Sequence, residues 1–458
     1  MFWLMVLCLF GCQSEPVTVT PQGAVGEVTV TSWPTAVAPT APATAVTTPT
    51  PIPPTISPTA TTPPTLSPTP TPIIWRVGAV TSMPADIIAT VQQQLPPSFQ
   101  WETDNSETDL LLTWESGSAV GQWQYALVTS FDSVIDEVSL AELQQMWQDG
   151  ELWSGAETNG WLQARWGSAP KRISESLSVS LWQEKPALGI IPFEELTPNL
   201  KVLRVDGVAP IDVDFGTETV YALTLPLYWQ GEAEAVAAWQ AFDWLSVNNF
   251  NADQITHVAM TGAAGLDRAV GDRMERKGVT YPGEAIAPLM ESVDFAHMSN
   301  EVAFAPNCPY PEPVGDTQFC ARDKYLELLL FMGIDIVELT GNHVNDWGEH
   351  NFQHTLDLYE EVGILTFGGG RDLEAAKRPL QIEHNGNRIA FVGCNVVGPY
   401  YAFARQDYGG SWPCGDYTGI KDSIATLADE GYLVIATMQY QEGYEYITYL
   451  TQQGHFHD

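Results

Sequence analysis

Between positions 338 and 348 the chain reads Glu-Leu-Thr-Gly-Asn-His-Val-Asn-Asp-Trp-Gly, which brings an amide (Asn342), an imidazole (His343) and a carboxylate (Asp346) close together in sequence. An apolar run, Ile334-Asp-Ile-Val-Glu-Leu339, leads straight into them. Where a buried strand opens into a loop, the sheet holds the first loop residues rigidly, so donors of these three types can converge on one metal ion or phosphate, or move a proton. The plainer alternative makes Gly341-Asn342 a turn, His343 a satisfied loop histidine and Asp346 the N-cap of a helix over 352–359.

The elements that must position these side chains follow from the hydrophobic pattern. Strand-like runs over 255–260, 295–298, 334–339 and 365–367 alternate with helical stretches over 285–290, 324–332 and 352–361. Tyr325, Leu328, Leu329 and Met332 repeat at the helical period, while the strands are apolar without period, as in a buried sheet covered by helices. Asn385-Gly386 between two apolar runs predicts a type I′ hairpin and therefore a mixed sheet.

An earlier region, starting near Ile74, also reads as α/β. Strand-like runs fall at 75–79, 108–113, 125–129, 200–205 and 221–227, a helix at 85–94, and a second helix behind a capping box formed by Ser139 and Glu142. Its many tryptophans, Trp123, Trp147 and Trp161 among them, are read as core more readily than as the lining of a ligand cleft. A helical segment over 232–245 joins the two regions.

Four blocks in the second region resemble the CapA family of capsule and poly-γ-glutamate synthesis proteins, whose fold is that of the calcineurin-like metallophosphoesterases. They are His257-Val-Ala-Met-Thr-Gly-Ala-Ala-Gly-Leu-Asp-Arg268, Phe295-Ala-His-Met-Ser-Asn-Glu301, Leu339-Thr-Gly-Asn-His343 with Asp346 and Gly348, and Gly363-Ile364 followed by Phe367-Gly-Gly-Gly370. The resemblance implies a two-sheet α/β sandwich over 251–458. It implies a divalent metal ion held by Glu301, Asn342 and His343, catalytic roles for His343, Asp346 and Glu442, and substrate contacts from Asn300, Gln439 and Tyr440. It also implies a capsule, poly-γ-glutamate or peptidoglycan-like polymer as partner, handled by a metal-assisted hydrolase or transferase.

The chain departs from that pattern at two ligand positions. Ala263 follows Thr261-Gly262 where the family carries an aspartate, and Gln439 stands where it carries a histidine. A neutral amide is a poor ligand for zinc or iron, although its oxygen suits calcium or magnesium. The family's last block, Gly-His-x-x-His, does not occur before Asp458, so the domain is read as C-terminally incomplete. Two functions of different class therefore stand: a surface hydrolase or transferase, and a tethered polymer- or solute-binding protein that keeps the fold without the chemistry. The region over 74–250 is similar, more weakly, to type 2 periplasmic solute-binding proteins, through a helix ending in Gly150, the nearby Trp153 and a Gly189-to-Phe193 turn.

With 19 basic against 56 acidic residues the net charge is −37, which opposes binding to nucleic acid or anionic headgroups by bulk charge. An anionic partner must be met by a local site.

Positions 1–11 are almost wholly apolar and close on Leu9-Phe10-Gly11-Cys12, which resembles a bacterial lipobox, although no Lys or Arg precedes the run. The run falls short of the roughly 20 residues a membrane-spanning helix needs. Residues 1–12 are thus expected to be a lipoprotein signal, with Cys12 lipidated and the protein extracytoplasmic on a membrane. Positions 13–73 are rich in Thr, Pro, Ala and Val and almost uncharged, a composition that cannot bury a core and predicts a disordered, polyproline-like stalk. Export implies an oxidising compartment, so the remaining cysteines, Cys308, Cys320, Cys394 and Cys414, are expected in disulfides. Proximity pairs Cys308 with Cys320 and Cys394 with Cys414, among three possible connectivities. The sequence does not set the oligomeric state.

Overall fold

In the computed structural model, residues 73–216, 219–242, 246–314 and 317–440 are described. Cys12, the signal, nearly all of the stalk and Glu442 lie outside them. The chain is α/β, as its pattern predicts.

The first region is built around one long strand, Ser118–Ser130, which pairs antiparallel with Thr224–Gly231, Leu188–Pro192 and Leu200–Val205. Outside these lie the parallel strands Trp75–Ala79, Phe99–Trp101 and Leu110–Thr113. The expected helix is found at Ala85–Gln94. Helix Leu140–Asp149 opens with the expected capping box, Ser139 and Glu142 each bonding the other's backbone, and closes on Gly150 in the left-handed conformation. Trp123, Trp147 and Trp161 are core, at most 4% exposed. The joining helix is shorter than expected, at Ala233–Gln240.

The second region starts with strand β1 (Val258–Ala264), followed by helix α1 (Arg268–Lys277), β2 (Phe295–Asn300), α2 (Leu326–Phe331) and β3 (Ile336–Glu338). Helix α3 (Glu349–Val362) and β4 (Leu365–Phe367) complete a four-stranded parallel sheet in the order β1-β2-β3-β4. Then come β5 (Leu380–His384), β6 (Asn387–Asn395), α4 (Thr418–Asp429) and β7 (Leu433–Gln439). Strands β5, β6 and β7 form a separate mixed sheet. The hairpin between β5 and β6 has positive φ at both Asn385 and Gly386, as a type I′ turn requires.

Strand alternation explains how the layers pack. Val258, Ile336 and Phe367 of the parallel sheet meet Ile389, Phe391 and Ile435 of the mixed sheet in one core. Their neighbours Ala259 and Val337 face the other way, against Leu328, Leu329, Phe352 and Leu356 of the helices. Ala390 and Val392 likewise turn outward onto Ile420 and Leu427 of α4. Helices, two facing sheets and a further helix make a two-sheet α/β sandwich.

Three local expectations are corrected. Strand β1 runs on through Thr261 to Ala264, past the 255–260 run expected from sequence, because Ala263 and Ala264 pair with Ser299 and Asn300 of β2 after a register shift. Tertiary pairing there overrides the low strand preference of Gly and Ala. The strand expected over 334–339 is only Ile336–Glu338. Helix α3 starts at Glu349 with Gly348 as its N-cap, so Asp346 does not cap it.

Both disulfides form as paired by proximity, Cys308–Cys320 and Cys394–Cys414.

Candidate functional site

The carboxyl ends of β2, β3 and β7 bring together residues far apart in sequence. Gly341, just beyond β3, is needed for this approach: a Cβ there would come within 2.6 Å of the Glu301 Cα. Its absence lets the two loops run side by side, with Val302 and His343 forming a parallel bridge. Asn395, at the end of β6 and buried, donates to the Gly341 carbonyl at 3.3 Å and accepts from the backbone N–H groups of Val397 and Gly398. It ties the loop after β3 to the second sheet.

Gln439 ends β7 and completes the group. Its side-chain nitrogen donates to Glu301 Oε1 at 3.2 Å and to Asn342 Oδ1 at 2.9 Å. The Glu301 carboxylate accepts only, which fixes the orientation of the Gln439 amide. The amide nitrogen therefore lies between two oxygens from different strands' loops.

Beside this trio, His343 Nδ1 is 2.6 Å from Asp346 Oδ2. The Asp346 side chain is fully buried. Its Oδ2 also accepts from the Phe319 backbone N–H at 2.9 Å, and its Oδ1 accepts from the Tyr401 hydroxyl at 3.0 Å. Burial and then this carboxylate push the Tyr401 phenol up. A carboxylate held by two further donors fixes the plane of the histidine ring, an arrangement suited to binding or proton transfer at its other nitrogen.

Not every expected residue joins the group. Asn300 is buried and turned into the core, donating to the Tyr359 hydroxyl at 2.6 Å, so it anchors the end of β2 and does not face the trio. Tyr440 follows Gln439 directly at the end of the described chain. Glu442 lies outside the described residues.

Sequence reading missed Phe319, Tyr401 and Asn395, because they come from segments with no chemical motif of their own. It also passed over a buried pair beneath the site: His297 Nε2 lies 3.6 Å from Glu338 Oε2, and Thr340 Oγ1 donates to the other Glu338 oxygen. An acid and a histidine on adjacent apolar strands were the available signal.

The donors assembled here do not match a binuclear transition-metal centre. Glu301 supplies one carboxylate, Asn342 and Gln439 are neutral amides, Ala263 supplies nothing, and His343 adds one imidazole nitrogen, Nε2, since Nδ1 is engaged by Asp346. Among the described residues, no three His, Cys, Asp or Glu side chains cluster as a metal site would require.

Fold and site together define an α/β sandwich domain with a polar site at the carboxyl ends of its strands. Residues 257–455 match the family model described as bacterial capsule synthesis protein PGA_cap, and this C-terminal region belongs to the CapA family. A capsule biosynthesis protein CapA from Bacillus anthracis is 22% identical over 200 residues, covering 42% of this chain and 46% of that protein. The chain thus spans about half the length of the curated relative it matches. Among solved structures, an ABC-type phosphate transport receptor from Vibrio cholerae matches with 13% identity and a TM-score of 0.29, over 37% of this chain and 94% of that one. A possible phosphate binding protein from Planctomyces limnophilus matches with 10% identity and the same TM-score, over 57% and 98%. Likenesses this distant carry nothing about a ligand.

Proposed function

We propose that this chain is an extracytoplasmic, membrane-anchored surface protein of capsule or poly-γ-glutamate-like polymer assembly, and that its C-terminal domain binds the polymer at the Glu301, Asn342, His343 and Gln439 site. The observation that carries this reading is the Gln439 amide, which donates to both Glu301 and Asn342 and forms a hydrogen-bonded bridge across the site. A site filled by amides and one carboxylate recognises peptide-like groups by complementary hydrogen bonds. The two disulfides agree with an oxidising compartment, and no described helix is long and apolar enough to cross a membrane.

A second reading, hydrolase or transferase, is favoured by one observation, the short His343–Asp346 contact, which suits general acid–base chemistry. Titrating the full chain with poly-γ-glutamate, with and without EDTA, separates the two. Binding that survives chelation, with no chain shortening, supports the binding protein. Stoichiometric metal together with polymer cleavage, both lost in His343→Ala, supports the enzyme and overturns the first reading.

A further inference from the structure

A row of three side chains borders the site. The Phe319 ring lies 4.4 Å from the His343 ring, centroid to centroid, and the guanidinium carbon of Arg268, on α1, sits 4.3 Å from the Phe319 centroid. Each member is held from behind. Cys320, next to Phe319, is locked to Cys308 and its N–H donates to Asp267 Oδ2 at 3.3 Å. The other Asp267 oxygen accepts from the Arg268 N–H at 2.7 Å. Phe319 N–H in turn donates to Asp346, the partner of His343. One aspartate and one disulfide thus set the spacing of the row.

Arg268 is exposed, and it adopts φ +47°, a left-handed conformation that an ordinary side chain enters at a cost. Such strain is kept only where the surroundings impose it, here at the first residue of α1 beside the candidate site. The Arg268 guanidinium carbon lies over the Phe319 ring, a cation–π contact that restrains the head group of a residue type whose fork of N–H donors matches a planar carboxylate. The need for such a group is set by the net charge of −37, which repels an acidic polymer everywhere that no local cation offsets it.

We propose that the Arg268–Phe319–His343 row is the carboxylate-recognition element of this site, with Arg268 selecting an acidic polymer over its neutral counterpart. This rests on the polymer-binding reading above. Arg268 reads charge, and the Glu301, Asn342 and Gln439 trio reads the amide backbone.

The test measures binding of the purified full chain to poly-γ-glutamate and to the same polymer with its carboxylates amidated. Wild type, Arg268→Gln, Arg268→Lys and the exposed control Arg273→Gln are compared. The expected result is about tenfold weaker binding of the acidic polymer by Arg268→Gln, with the amidated polymer unaffected, and an intermediate loss for Arg268→Lys. Arg273→Gln should match wild type, and melting temperatures should agree across the set. Equal loss in Arg268→Gln and Arg273→Gln, or no loss in Arg268→Gln while wild type binds, overturns the assignment and leaves the polymer-binding reading standing. Failure of wild type to bind either polymer overturns both.

Discussion

The side-chain nitrogen of Gln439 lies 2.9 Å from Oδ1 of Asn342, joining the last described strand to a loop 97 residues earlier. Through the same nitrogen Gln439 reaches Glu301, so one amide closes a site drawn from three strands. Replacing it by Leu keeps the volume and removes one donor from the half-buried Glu301 carboxylate and from the Asn342 oxygen. Gln439→Leu is expected to cost about 1–3 kcal/mol, read as a lower urea midpoint, and to weaken polymer binding. An unchanged midpoint together with unchanged binding would show the bridge to be incidental.

Gly341 makes the approach of β2 and β3 loops possible. Gly341→Ala puts a methyl group 2.6 Å from Glu301 Cα, a backbone atom that cannot rotate away. A loss of about 2–3 kcal/mol is expected, with displacement of both Glu301 and Asn342. Thermal melting checks the first, and loss of polymer affinity the second. Full stability in this variant would contradict the packing described.

Asp346 accepts from His343, Phe319 and Tyr401 while fully buried. Asn at this position keeps the shape but offers one oxygen to donors that now meet two. Asp346→Asn should lose about 2–4 kcal/mol of stability, and the Tyr401 phenol should titrate closer to its ordinary value. NMR titration of ring-labelled tyrosine reads the second effect, and no movement of Tyr401 would disprove the contact.

Acid stability depends partly on Glu275 of α1. Burial alone would push its carboxyl up, but hydrogen bonds from Lys324, Tyr325 and Arg322 outweigh it and hold the pKa at about 2, against an ordinary 4.5. A carboxylate depressed in the folded state stabilises fully above its unfolded value, and that contribution fades as pH falls from 4.5 towards 2. Glu275→Gln is therefore expected to cost about 2 kcal/mol at pH 7, with the gap to wild type narrowing steadily below pH 4.5. A gap independent of pH in denaturant titrations would rule this out.

Local signals in the sequence settled the elements and several of their ends. The Ser139–Glu142 capping box, the Asn385-Gly386 hairpin and the helix at Ala85–Gln94 each depend on contacts within a few residues, and each stands where the sequence puts it. Proximity along the chain likewise selected the two disulfides, whose partners are 12 and 20 residues apart. The motif around Asn342 and His343 pointed to the candidate site because its residue types are chemically specific.

What the tertiary structure alone decided is the direction in which those residues point and what they meet. Asn300 and Glu301 are adjacent in sequence, yet the first turns into the core onto Tyr359 and the second onto Gln439, because strand geometry sends neighbours to opposite sides. Asp346 left the helix cap for His343, since Phe319 and Tyr401, from distant segments, complete its shell. Pairing with β2 made a strand of the Gly-Ala stretch beside the site. Such contacts arise between segments tens of residues apart, and no local pattern encodes them.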